Sequence, residues 1–147
     1  MLQLISKPAS SLMLAFSILL FSFTTTGSHS FEVYLNKKLL FQQYVSKDMK
    51  INSIPLNQAK ATDEIEVYYN HCGVSGTGRI ITIRDEQNKI LKEYKFPDSP
   101  NTKTLMSCDV KDITSLQSLN KRSTLYLYYA SNEMPEARML ASFASGQ

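Results

Sequence analysis

The densest run of chemistry-bearing residues is His71-Cys72-Gly73-Val74-Ser75-Gly76-Thr77-Gly78-Arg79. It holds three of the chain's five glycines beside an imidazole, a thiol, two hydroxyls and a guanidinium. Glycines at this density either open backbone amides toward an anion or supply the positive φ that a long connection needs. A phosphate loop requires lysine and then serine or threonine after its second spaced glycine, but Gly78 is followed by Arg79 and Ile80. A nucleophile elbow requires glycine two positions on either side of the serine, and Thr77 takes the second place after Ser75. Gly73, Ser75, Gly76, Gly78 and Arg79 are left as candidate binding residues of an ordered loop, because such loops on rigid sheets are where function collects. The competing use is structural, with the glycines serving only the turn.

Tyrosine supplies the second candidate. Tyr68, Tyr126 and Tyr128 have the opposite parity to the apolar residues of their own segments, so if those segments pair they form an aromatic patch on an outer face. An amphipathic ring of this kind suits a sugar or a protein partner. Acids occur in pairs, Glu64 with Glu66 and Asp109 with Asp112, but Glu64 and Glu66 alternate with Ile65 and Val67, as solvent-facing strand residues do. Nothing marks them as catalytic, and no catalytic residue is assigned.

Two cysteines, Cys72 and Cys108, lie 36 positions apart with no C-x-x-C motif. In an exported chain the simplest expectation is a disulfide between them, worth roughly 4 kcal/mol by loop-closure entropy. A soft metal set of His71, Cys72, Met106 and Cys108 would need both thiols reduced. A leader ending at Ser30 takes His29 with it and leaves His71 alone, which removes chemistry needing two imidazoles. No metal and no cofactor are expected.

The elements that would position these groups are short and alternating. Phe31, Val33 and Leu35 share one face of a first strand, Asn36-Lys37-Lys38 turns, and Leu39 to Val45 returns. Lys50 to Asn57 carries Pro55 and belongs at an edge. Ile65, Val67 and Tyr69 alternate in a fourth strand. Arg79 to Asp85 and Lys89 to Phe96 flank a turn at Glu86-Gln87-Asn88. Thr104 to Val110 is a seventh strand. Asp112 is placed to cap a helix of one or two turns bearing Ile113, Leu116 and Leu119 on one side, with Asn120 ending it in a left-handed conformation. Thr124 to Ser131 alternates again, and Arg138 to Phe143 fits helix or strand, of which strand is preferred. The fold expected is all-β: an antiparallel β-sandwich of eight or nine short strands, Ig-like or jelly-roll-like in architecture, with one short helix. A true immunoglobulin topology is disfavoured, since the chain has no tryptophan and Met106 stands where a corner tyrosine would precede Cys108.

Residues 1–30 read as a signal peptide: Lys7, an apolar run from Leu12 to Phe23, then a small polar stretch. That run is shorter than the roughly 20 residues of a membrane-spanning helix, so no permanent membrane span is expected. Cleavage fits after Gly27, Ser28 or Ser30, with Ser30 preferred because FEVYL follows it. The division is then leader 1–30, a single β-sandwich domain over 31–144, and a disordered tail at 145–147. The net charge of +3 falls to +2 when Lys7 leaves, and Lys37-Lys38 and Lys121-Arg122 sit in expected turns. Such a chain has no electrostatic footprint for nucleic acid.

The run Tyr68-Tyr69-Asn70-His71-Cys72-Gly73, the pattern R-x-I-x-I-x-D from Arg79 to Asp85, LYLYYAS from Leu125 to Ser131, and Pro135 with Arg138-Met139-Leu140 together resemble small exported bacterial β-rich proteins of unknown function. The resemblance implies export from a bacterial cell, to the periplasm or the outside, and no activity. The expected function is a non-catalytic module binding a protein or glycan of the cell envelope through the tyrosines, the glycine loop or a sheet edge. The alternative is an envelope enzyme acting on glycan or peptide through acidic residues and His71.

Overall fold

The computed structural model describes residues 28–144. The apolar run from Leu12 to Phe23 and the tail at 145–147 lie outside the described residues. Nine strands form two sheets: β1 (Ser30–Leu35), β2 (Lys38–Tyr44), β3 (Asn52–Ile54), β4 (Glu64–Asn70), β5 (Arg79–Arg84), β6 (Ile90–Phe96), β7 (Met106–Asp109), β8 (Leu125–Ser131) and β9 (Met134–Phe143). One helix, α1 (Val110–Leu119), follows β7 directly. The four-stranded sheet runs β2-β1-β4-β7 and the five-stranded sheet β3-β9-β8-β5-β6. The chain is thus an all-β sandwich, as its alternation implies.

Alternation sets which residues meet between the sheets. Phe31 and Val33 of β1 stand opposite Tyr69 and Val67 of β4, and Ile65 stands opposite Cys108 of β7. From the other sheet come Ile81, Ile83, Leu125, Leu127 and Tyr129, all without exposed surface. A bulge between Leu127 and Tyr128 shifts the register of β9, so that Leu140, Ala141 and Phe143 are all buried despite the change of parity. The β1–β2 hairpin turns on Asn36 and Lys37, with φ of 47° and 67°, a left-handed pair suited to a two-residue hairpin loop. At the β5–β6 turn the Asp85 carboxylate accepts from the amides of Gln87 and Lys89.

Several expectations need correction. The helix has ten residues and begins at Val110, so Asp112 lies in its first turn and pairs instead with Lys92 at 3.0 Å and with the Tyr94 hydroxyl at 2.8 Å. Its buried side is Val110, Ile113 and Gln117, while Leu119 is 80% exposed, and the Gln117 amide donates to the carbonyls of Phe143 and Ala144. Asn120 does end the helix, but through bonds from its backbone and side-chain N–H groups to the Leu116 carbonyl. The left-handed residues are Lys121 and Arg122. Finally, β3 is at an edge as expected but pairs parallel to β9, Asn52 with Ala141 through Ile54 with Phe143.

Candidate functional site

The tyrosines do not form one patch. Tyr68 lies on β4 in the four-stranded sheet and Tyr126 and Tyr128 lie on β8 in the five-stranded sheet, so they occupy opposite outer faces of the sandwich. Parity within each strand was informative; which strands pair was not. On the five-stranded face the Arg84 guanidinium lies 4.4 Å over the Tyr128 ring, held there by the Thr82 hydroxyl and the Asn88 side-chain carbonyl. Tyr128 therefore already has a cation on its face.

Tyr68 too has a cation over its ring, at a longer distance, but it stands beside a second aromatic residue. Antiparallel pairing of β1 and β4 sets Glu32 opposite Tyr68 and Tyr34 opposite Glu66, which makes Tyr34 and Tyr68 diagonal neighbours. Their rings meet edge to face at 5.6 Å and 75°. Lys103, from the loop before β7, stands 5.3 Å from the Tyr68 ring and 2.8 Å from the Glu32 carboxylate, which also accepts from the Tyr34 hydroxyl at 2.7 Å. Those bonds from Lys103 and Tyr34 hold the Glu32 carboxyl below its ordinary pKa, and Glu32 in turn raises that of Tyr34. Glu66, on the outer face but only 7% exposed, accepts from the Lys37 amide at 2.8 Å. Tyr34, Lys37, Glu66, Tyr68, Lys103 and Leu105 line an open cavity of about 390 Å3. Tyr34 was findable from its parity against Val33 and Leu35. Lys103 was not, because nothing local in its loop ties it to β4.

The glycine loop is spoken for by the protein itself. Gly73 N–H donates to the Asn70 side chain and Gly78 N–H to Asp98, while the Thr77 amide and hydroxyl donate to Glu133. Gly76 O accepts from Ser99 N–H at 2.7 Å, and Thr77 O from Asn132 N–H at 2.9 Å. Gly78 has φ of +54°, and a Cβ there would come within 2.7 Å of the Asn132 side chain. Ser75 is half-buried in the same loop. Arg79 is 3% exposed, and its guanidinium donates to the carbonyls of Pro97 and Thr104. Of the loop residues expected to bind a ligand, Arg79 is inside the protein, and the amides of Gly73 and Gly78 are paired with side chains of the chain.

Glu133 gives that loop an acid-sensitive fastening. Desolvation works to raise its carboxyl, but the bonds from Thr77 and from neighbouring donors outweigh it and bring the pKa down from 4.5 to about 2. A carboxyl depressed on folding stabilises fully above its unfolded pKa and loses that contribution as pH falls through its folded one. Protection of the Thr77 amide against hydrogen exchange, corrected for intrinsic rate, is expected to hold down to about pH 4.5 and to decline toward pH 2. A Glu133→Gln variant should show no such decline.

The cysteines do not pair with one another. Cys108 is buried on β7 opposite Ile65, near the start of β4, whereas Cys72 is exposed in the turn beyond the far end of that strand. With about 3.3 Å of rise per residue, the length of β4 separates them, far beyond the 4.4–6.8 Å between Cα atoms that a disulfide spans. The parity that makes Cys108 a core residue is what takes it away from Cys72, and burial pushes its thiol pKa well up.

His71 is 4% exposed, its Nε2 2.9 Å from the Tyr129 hydroxyl and 3.4 Å from Ser131 Oγ. Burial, with a further contribution from His29, lowers its pKa and so favours its neutral form. Of the paired acids, Glu64 accepts from Ser107 while Glu66 faces the tyrosine cavity, so the two are not poised together. Met106 is a core residue. Compared with known protein families and with curated proteins, the chain matches none. Among the described residues no helix is long and apolar enough to cross a membrane.

Proposed function

We propose that the protein is an exported, non-catalytic binding module that takes a saccharide of the cell envelope on the outer face of its four-stranded sheet. The observation that carries this is the Tyr34–Tyr68 pair set edge to face in a cavity that Lys37, Lys103 and Glu66 also line. One ring offers an apolar face to a sugar's C–H surface and the other a wall. Glu66, Lys103 and the Tyr34 hydroxyl supply acceptors and donors for ring hydroxyls. His71, buried and held at Nε2, is suited to positioning Tyr129 rather than to exchanging protons with an outside molecule.

Titrating the protein with soluble fragments of envelope glycan tests the reading. Tyr68→Ser is expected to weaken binding by more than 1 kcal/mol, as truncation of a central aromatic contact does, while Tyr126→Ser leaves it unchanged. Equal losses from both, or turnover of the glycan, would overturn the proposal.

Export also acquires a sharper form. The His29 carbonyl accepts from Val45 N–H at 2.8 Å, and Ser30 opens β1 opposite both Tyr44 and Asn70. Cleavage after Ser30 would cut away the start of that strand. The reading proposed is cleavage after Gly27 or Ser28, and an intact mass from the source cell should show His29 retained. A mature chain starting at Phe31, or one keeping Met1, would refute it.

A further inference from the structure

Retention of His29 has a chemical consequence, because it brings a second imidazole to His71. The two rings stand 5.3 Å apart at 79°. His29 Nδ1 is 3.3 Å from the Tyr69 hydroxyl, which lies the same distance from Met134 Sδ. Two imidazoles and a thioether therefore surround one buried tyrosine, whose ring centroid is 4.7 Å from that of His71. His71 Nδ1 is buried and has no hydrogen-bond partner, a rare condition for a polar atom. Nε2, in contact with Tyr129, fixes the ring in the way that a metal-bound histidine is usually fixed through its other nitrogen.

We propose that His29, His71 and Met134 form a binding site for a soft monovalent cation, Cu(I). The donor set selects the ion. Imidazole and thioether suit Cu(I), whereas among the described residues no three His, Cys, Asp or Glu side chains converge as a divalent site of ordinary type would need. His29 Nδ1 and Met134 Sδ are no more than twice 3.3 Å apart. Two ligands of one ion with bonds of about 2.0–2.3 Å must lie within roughly 4.5 Å, so on binding the half-exposed His29 side chain would turn toward Met134.

The test uses the purified full chain with Cys72→Ser, so that the exposed thiol beside His71 does not bind the probe by itself. Anaerobic titration with Cu(I) against a chromophoric chelator, and separately with Ag(I), should give one equivalent bound. Because His71 is buried and its replacement can unfold the protein, the deciding variants are His29→Ala and Met134→Leu. Each is expected to weaken the affinity at least tenfold while leaving the metal-free unfolding midpoint in place. On addition of Ag(I), the nitrogen resonance of His71 Nδ1 should move. Parent affinity in both variants, a stoichiometry below one, or an unmoved His71 signal would overturn the site.

Discussion

Replacing Arg79 with methionine is expected to destabilise the fold by about 3 kcal/mol, read as a shift of the urea midpoint at constant slope. The side chain is 3% exposed and donates three hydrogen bonds, two to the Pro97 carbonyl and one to that of Thr104. Methionine fills a similar volume but leaves both carbonyls without their donor, at about 1–3 kcal/mol for each that stays buried. Part of that loss is offset, because desolvation of the guanidinium already disfavours its charged form in the native protein. Arg79→Lys should recover less than half, since a single ammonium cannot reproduce the planar fork that reaches Pro97 and Thr104 together. A cost below 1 kcal/mol for the methionine variant would mean that the 97–104 loop is held by other contacts. The loop matters beyond stability: Lys103 precedes Thr104, and its ammonium borders the Tyr68 ring. Arg79 therefore sets one wall of the candidate saccharide cavity from inside the molecule.

The second large effect separates two adjacent tyrosines. Tyr129→Ala is expected to cost about 4 kcal/mol, in the range for emptying a fully buried aromatic site, whereas Tyr128→Ser should cost about 1 kcal/mol or less, the worth of a surface cation–π contact. Tyr129 has no exposed surface, stacks on Tyr69 at 4.4 Å and 25°, and meets His71 through its hydroxyl, whose pKa burial pushes up to about 12. Tyr128 lies on the other face of the same strand, half-buried beneath Arg84. Thermal or urea unfolding of the two variants side by side gives the comparison, and similar losses would refute the assignment of faces.

That assignment is the part of the structure most directly written in the sequence. In β8 the pattern LYLYYAS alternates, and its buried residues are Leu125, Leu127, Tyr129 and Ser131. The same rule places Phe31 and Val33, Ile65 and Val67, and Ile81 and Ile83 in the core. Alternation is a local property and reports only which face a side chain takes. It does not report which strands adjoin, so it cannot say that Tyr68 and Tyr126 lie in different sheets or that the length of β4 stands between Cys72 and Cys108. The candidate cavity was half legible: Tyr68 and Tyr34 through their parity, but Glu66 and Lys103 only once β4 had its neighbours. Gln117 was hidden for a related reason, since a polar residue on a helix's buried side makes sense only beside the carbonyls of Phe143 and Ala144 that it satisfies.

The parallel pairing of β3 with β9 bears on when the fold can exist at all. Asn52 to Ile54 have their place beside Ala141 to Phe143, about 90 residues later, and β9 itself lies between β3 and β8. Contacts that join distant segments carry their loop-closure entropy before they return any stabilisation, so sheets of this kind assemble slowly. A chain made or threaded N-terminus first cannot complete the larger sheet until residue 143 is out, and until then Ile54 has no strand beside it. If the chain is exported as proposed, that delay would keep it passable through a narrow pore and let the larger sheet close on the far side.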